Sequence, residues 1–273
     1  MKIKEQVITS RSNPLVMSVV KLRRKQHRDS EGLFLCDGKK LCREYIKKCG
    51  APKFLIIDET KLDTLTPFFE EVERCTGVTL EPILVSNSAF EKMTEEKSAE
   101  GVICVCGYDT VSVERIGGGF FSDNSEKIII LSSLRDAGNV GTVIRTALAL
   151  SYDRIILSDD CADVLSPKVL RASMGALFSV KITLTGDLCD TVERIKKSGR
   201  RVFSAELREK AVSIKDINVL ENDVFVIGNE GHGIDAEVSR RSSKSVYIPI
   251  NDRSESLNAA VAASIIMWHQ TNV

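Results

Sequence analysis

The second half of the chain repeats one pattern that few folds can satisfy. A short run of apolar, largely β-branched residues is followed by a polar or glycine-bearing loop and then by a stretch with helical spacing. Runs near 128–132, 154–158, 179–184, 201–205, 223–228 and 245–249 read as strands, with helices between them and a last helix over about 256–269. A strand as continuously apolar as Ile128-Ile129-Ile130-Leu131 must be covered on both faces, and intervening helices supply the crossovers that parallel pairing needs. The pattern predicts an α/β domain over 127–273 built on a mainly parallel sheet.

The first half shows a shorter version of the same alternation. Leu33 to Cys36, Phe54 to Ile57, Ile83 to Val85 and Val102 to Cys106 read as strands, with helical stretches over 39–49 and 64–75, so a small α/β domain is expected over 1–107. Ser12-Asn13-Pro14 is a helix start: a capping side chain precedes the residue whose fixed φ and missing N–H suit the first helical position. Leu15, Val16, Val19 and Leu22 follow at helical spacing, and a basic run extends from Lys21 to Arg28. Between the two domains, 108–126 carries Gly117-Gly118-Gly119 and polar residues without periodicity, which reads as a linker.

Charge is informative only through its placement. The 38 basic and 38 acidic residues cancel, yet residues 1–30 hold eight Lys or Arg against two acids, Glu5 and Asp29, a local balance of +6. Such an end suits an RNA-binding arm, with Arg11, Lys21, Arg23, Arg24, Lys25 and Arg28 as candidate phosphate contacts; a solvated basic helix face fits it equally. The eight cysteines are scattered, with no C-x-x-C pair and no His at zinc-ligand spacing, so ordinary thiols in a reducing compartment are expected and no metal site. There is neither an eighteen-residue apolar run nor an apolar leader after Met1, and the expectation is a cytoplasmic protein outside the membrane.

Three segments set glycines and polar residues directly after apolar strands. In SSLRDAGNVGTVIRTA, after the strand at 128–131, Gly138 and Gly141 free the backbone for close approach, Asn139 can bond loop groups, and Arg145 lies about one turn beyond Gly141. A capped helix with a solvated arginine would look the same. In GNEGHGI, after Val224-Phe225-Val226-Ile227, glycines 228, 231 and 233 surround Glu230 in an order that is neither the dinucleotide fingerprint nor a P-loop. In the third, the strand ending at Ile248-Pro249 leads to a polar loop, and Ser256-Leu257-Asn258 opens a helix whose first turns are rich in alanine.

In type, order and separation these segments resemble the three motifs of the SpoU (TrmH) family of ribose 2′-O-methyltransferases, in the SPOUT superfamily. The resemblance rests on N-x-G-x-x-x-R in RDAGNVGTVIRTA, G-x-E-G-x-G in GNEGHGI, and I-P followed by S-L-N. SPKVLRASMGALFSV is similar to the family's segment between motifs, TEEKSAEGVICVC to the end of its substrate-binding domain, and the opening TSRSNPLVMSVVKLRRKQHRDSEGLFLCDG to the ribosomal-RNA branch. Ala137 departs from a frequent proline, and Asn229 and His232 fill variable positions; no motif side chain is lost.

The resemblance implies a deep trefoil knot in the C-terminal domain, against the general rule that chains avoid threading. It also implies S-adenosylmethionine held by backbone groups at Gly228, Ile248 and Leu257, catalytic roles for Asn139, Arg145, Glu230, Ser256 and Asn258, an RNA substrate, most readily ribosomal RNA, and a homodimer through the C-terminal domain. A transfer-RNA ribose methyltransferase and a non-catalytic RNA-binding paralogue are the alternatives. An ordinary Rossmann-type methyltransferase would place its glycine-rich loop after the first strand; here the richest glycine loop comes late.

Overall fold

The computed structural model describes residues 6–117 and 125–272, which fall into two compact units. Unit one comprises 1–111 and, unexpectedly, 163–178; unit two comprises 112–162 and 179–273.

Unit one begins with α1 (Pro14–Lys21), whose N-terminus is closed by the Asn13 side chain accepting from the Leu15 N–H at 2.9 Å. The basic run is not one helix. It breaks at Leu22 to Arg24 and resumes as α2 (Lys25–Glu31), which Gly32 ends in a left-handed conformation. Then follow β1 (Leu33–Asp37), α3 (Lys39–Cys49), β2 (Phe54–Asp58), α4 (Leu62–Thr76), β3 (Pro82–Val85), α5 (Asn87–Met93) and β4 (Val102–Gly107). The strands form a mixed sheet in the order β1-β4-β2-β3. One face packs against α1 and α5 through Val16, Val19, Ile56, Phe90, Met93 and Ile103.

Unit two is a parallel sheet of eight strands in the order β10-β12-β9-β11-β6-β7-β8-β5. Its elements are β5 (Val113–Arg115), β6 (Ile128–Leu131), α6 (Ala137–Ala149), β7 (Arg154–Ser158), then α7 (Pro167–Ser173), which belongs to unit one, β8 (Lys181–Thr185), α8 (Leu188–Lys197), β9 (Val202–Ala205), β10 (Val212–Ser213), β11 (Val224–Ile227), α9 (Ala236–Arg241), β12 (Lys244–Tyr247) and α10 (Ala259–Thr271). All four residues of β6 and of β11 are buried, as their unbroken apolar character requires. The core on one face joins Ile128, Ile130, Val192, Ile195, Val224 and Val226.

Two readings of the sequence change here. Part of the expected linker is strand β5, which extends the sheet beside β8; the Gly118 and Gly119 part of that stretch lies outside the described residues. The last helix begins at Ala259, not 256, because the Asn258 side chain accepts from the N–H groups of Ala260 and Val261 at 3.0 and 3.2 Å and closes the helix there.

Candidate active site

The three motifs converge at the carboxyl ends of β6, β11 and β12 in unit two. Asp136 caps α6 by accepting from the Asn139 N–H at 2.8 Å, which fixes Asn139 in the first turn. The Asn139 side chain then bridges the other two motifs. Its amide nitrogen donates to Glu230 Oε1, and its amide oxygen accepts from Asn258 Nδ2 at 3.0 Å. One amide, with a donor and an acceptor on one carbon, thus pins the glycine loop and the start of α10 together.

The glycine loop is tight. Asn229 and Gly233 exchange two backbone hydrogen bonds, at 3.0 and 2.9 Å, and Gly233 has φ +69°. That fold-back brings the Gly233 carbonyl carbon to 2.5 Å from where a Cβ on Gly228 would stand, so Gly228 admits no side chain. Asn229, which sequence reasoning passed over, organises this turn: Oδ1 accepts from the N–H groups of Gly231 and His232 at 2.8 and 3.3 Å, and Nδ2 donates to the Ser133 carbonyl at 2.9 Å. The signal was present in principle, since asparagine favours such side-chain turns.

A cleft of about 880 Å³ opens beside this network, lined by Gly228, Glu230, Ile248, Ser256 and Leu257 among others. The predicted cofactor positions therefore share one cavity with Glu230 and Ser256. Arg145 projects from the exposed side of α6, and among the described residues no hydrogen bond or ion pair holds it. Among the described residues no cluster of potential metal ligands occurs, and no helix is long and apolar enough to cross a membrane.

The basic candidates lie in unit one and divide in two. Arg11, Lys21, Arg24 and Lys25 are exposed. Arg28 is only 2% exposed: it donates to the carbonyls of Leu22 and Arg23 at 2.9 and 2.8 Å and pairs with Asp163. Arg23 donates to the carbonyls of Lys92 and Thr94 at 2.9 and 2.6 Å. The phosphate-contact reading is corrected for Arg28, because its guanidinium is buried and committed to packing the 163–178 segment; Arg23 spends the donors of Nη2 within the unit.

A sheet of parallel strands whose late glycine loop and last helix share one cleft, with the first helix tied to both through Asn139, defines an α/β protein that takes a small ligand at its strand ends. Residues 126–268 match the SpoU rRNA methylase family, and residues 13–104 match the MRM3-like substrate binding domain. Over 263 residues the chain is 30% identical to the 23S rRNA (guanosine(2553)-2′-O)-methyltransferase RlmP of Bacillus subtilis, covering 96% of this chain and 98% of that one. It is 27% identical over 269 residues to an uncharacterized tRNA/rRNA methyltransferase of Synechocystis, covering 96% and 92%. The crystal structure of an rRNA methyltransferase from Sinorhizobium meliloti shares the fold, with a TM-score of 0.79 at 24% identity over 100% of this chain and 98% of that chain. The chain belongs to the SpoU rRNA methylase family.

Proposed function

We propose that this protein transfers the methyl group of S-adenosylmethionine to a ribose 2′-hydroxyl of ribosomal RNA. The observation that carries the reading is the Asn139 amide joined both to Glu230, which lines the cleft, and to Asn258. A merely folded α/β domain has no need to bind three distant motif side chains into one polar network. The Bacillus subtilis relative is named for methylation of a guanosine ribose in 23S rRNA, which makes large-subunit RNA the first substrate to test.

The cleft suits the cofactor. Its volume is that of a small-molecule site, and Gly228 leaves the loop backbone bare beside Ile248 and Leu257, so contact there is through main-chain groups. When bound, S-adenosylmethionine supplies an electrophilic methyl on a sulfonium. This chain must then hold a ribose oxygen in line with that methyl and relieve it of its proton. Asn139, Glu230 and Asn258 hold the loops in register, and Ser256 shapes the third. Arg145, exposed on α6, takes the phosphate beside the target ribose and lowers the cost of alkoxide development. A guanidinium stays protonated, so Arg145 positions while the hydroxyl proton leaves to water or a nearby acceptor.

Exposed Arg11, Lys21, Arg24 and Lys25 form the RNA-contacting arm. Val261, Ile265 and Trp268 are exposed along one face of α10, with Trp268 60% exposed, and this apolar face supports a homodimer through the C-terminal domain. The eight free cysteines fit a reducing cytoplasm. The implied knot belongs to the same reading: β11 lies between β9 and β6, β12 lies outside β9, and α10 returns to pack on α6.

The test is transfer in vitro. Purified protein, methyl-labelled cofactor and ribosomal RNA should yield label in a ribose, and label in a base or no label would reject the assignment. Transfer RNA as the preferred acceptor would redirect it to the alternative substrate.

A further inference from the structure

Glu206 lines the same cleft, and nothing in the motifs accounts for it. It directly follows β9, the strand lying between β11 and β12, and its N–H donates to the Val246 carbonyl at 2.9 Å. Register places Ala205 level with Ile227 on one side and Val246 on the other, so Glu206 stands between the loop of Gly228 and the strand end leading to Ile248.

Its carboxylate is built into place. Three serine hydroxyls from three elements donate to Oε1: Ser204 of β9 at 2.8 Å, Ser245 of β12 at 2.9 Å, and Ser239 of α9. Oε2 accepts from Arg208 Nε at 2.7 Å, and the side chain is 9% exposed. Holding an acid this way takes four donors, far more than a solvated loop residue attracts. Oε1 is saturated, while Oε2, with one partner, retains a lone-pair direction for a further donor.

We infer that Glu206 reads the ribose of the bound cofactor, its Oε2 accepting from one of the two ribose hydroxyls. This rests on the proposed use of S-adenosylmethionine. The cofactor's donors are the adenine amine, the ribose hydroxyls and the α-ammonium. The ribose is the central portion, and Glu206 stands on the central strand of the three whose ends form the cleft. A strand-end carboxylate beside a glycine loop is also the arrangement by which other α/β sheets hold a ribose hydroxyl. Glu206 is thus a binding and specificity residue, and the three serines are its positioning shell.

Titration calorimetry with S-adenosylhomocysteine and its 2′-deoxy and 3′-deoxy forms tests this without turnover. With the unaltered protein, one deoxy form should bind about tenfold or more weakly, the weight of a hydrogen bond to a charged acceptor. Glu206→Ala should weaken the parent compound by a similar factor and bind that deoxy form no worse than the parent. Should Glu206→Ala melt early, Glu206→Gln keeps an oxygen for the serines, puts an amide at the other position, and should erase the same discrimination. Arg208→Ala should preserve it. If the variants lose affinity for all three compounds equally, or keep the discrimination, the assignment to Glu206 is overturned. Failure of the unaltered protein to bind S-adenosylhomocysteine would instead overturn the cofactor reading itself.

Discussion

The amide of Asn258 donates to the amide oxygen of Asn139 at 3.0 Å, across 119 residues of chain. Asn258 is at the same time the cap of α10, so one side chain both begins the last helix and ties it to the first motif.

These two duties separate by mutation. Asn258→Ala should lose the cap, about 1 kcal/mol of stability, together with most methyl transfer. Asn258→Ser should retain the cap and still lose most transfer, because serine does not reach Asn139. Thermal melts and single-turnover rates on the same preparations check both. A Ser variant as active as the parent would mean that the bridge to Asn139 is dispensable.

Gly228→Ala should abolish cofactor binding while unit one stays folded. The new methyl would stand 2.5 Å from the Gly233 carbonyl carbon, so the loop cannot close as it does, and the cause lies in the backbone, before any ligand arrives. Calorimetry with S-adenosylhomocysteine showing unchanged affinity would remove Gly228 from the pocket.

The exposed and buried arginines of unit one should fail differently. Arg28→Ala removes a buried guanidinium that bonds two carbonyls and the partly exposed Asp163, and should cost about 1.5–3 kcal/mol. Replacing Arg24 and Lys25 with Ala should leave the melt unchanged, weaken RNA binding and flatten its salt dependence. RNA affinity that ignores Arg24 and Lys25 at low salt would reduce them to a solvated face.

Asp37 gives a pH dependence. Burial raises its carboxyl above the ordinary value against the hydrogen bond from Thr94, and its Oδ1 is buried without a hydrogen-bond partner among the described residues. A raised acid binds more protons folded than unfolded, so its contribution is complete below the unfolded value, about 3.9, and is lost as pH rises through the folded value. Asp37→Asn should therefore stabilise the protein at neutral pH, and the gain should vanish toward pH 3. Denaturant melts at several pH values showing no gain at neutrality would contradict this.

Much of the fold was legible in local pattern. Continuous apolar runs located the four strands of the first sheet and six of the eight in the second, all but the short edge strands β5 and β10, because a strand covered on both faces has no polar position to spare, and Asn13-Pro14 marked its helix start. What escaped depends on contacts distant in sequence. Nothing local in residues 163–178 says that they leave unit two to pack with unit one, and nothing in Arg28 distinguishes it from exposed Arg24 until Asp163 is beside it. β5 is three residues long and gains its strand character only by pairing with β8. At the site, the motif residues could be named from the resemblance, but Asn229 and Glu206 could not. Ser133 beside Asn229, and Ser239 and Ser245 beside Glu206, are brought near by the fold and not by spacing; only Ser204 is a sequence neighbour.

Arg145 sharpens the mechanistic claim. Arg145→Ala should nearly eliminate transfer, Arg145→Lys should retain a small fraction, and both should bind cofactor normally. If the arginine were instead a direct base, the Lys variant's rate should rise steeply with pH toward the ammonium value of about 10.4. A rate that stays flat there, with RNA binding measured separately, supports positioning of phosphate.

The most direct measurement of the central claim is mass-spectrometric mapping of ribose methylation in ribosomal RNA from cells with and without this gene, and from cells complemented with Arg145→Ala. The account predicts one 2′-O-methyl group that disappears on deletion, returns with the unaltered gene, and stays absent with Arg145→Ala. An unchanged ribosomal RNA methylation pattern across all of these strains would contradict it.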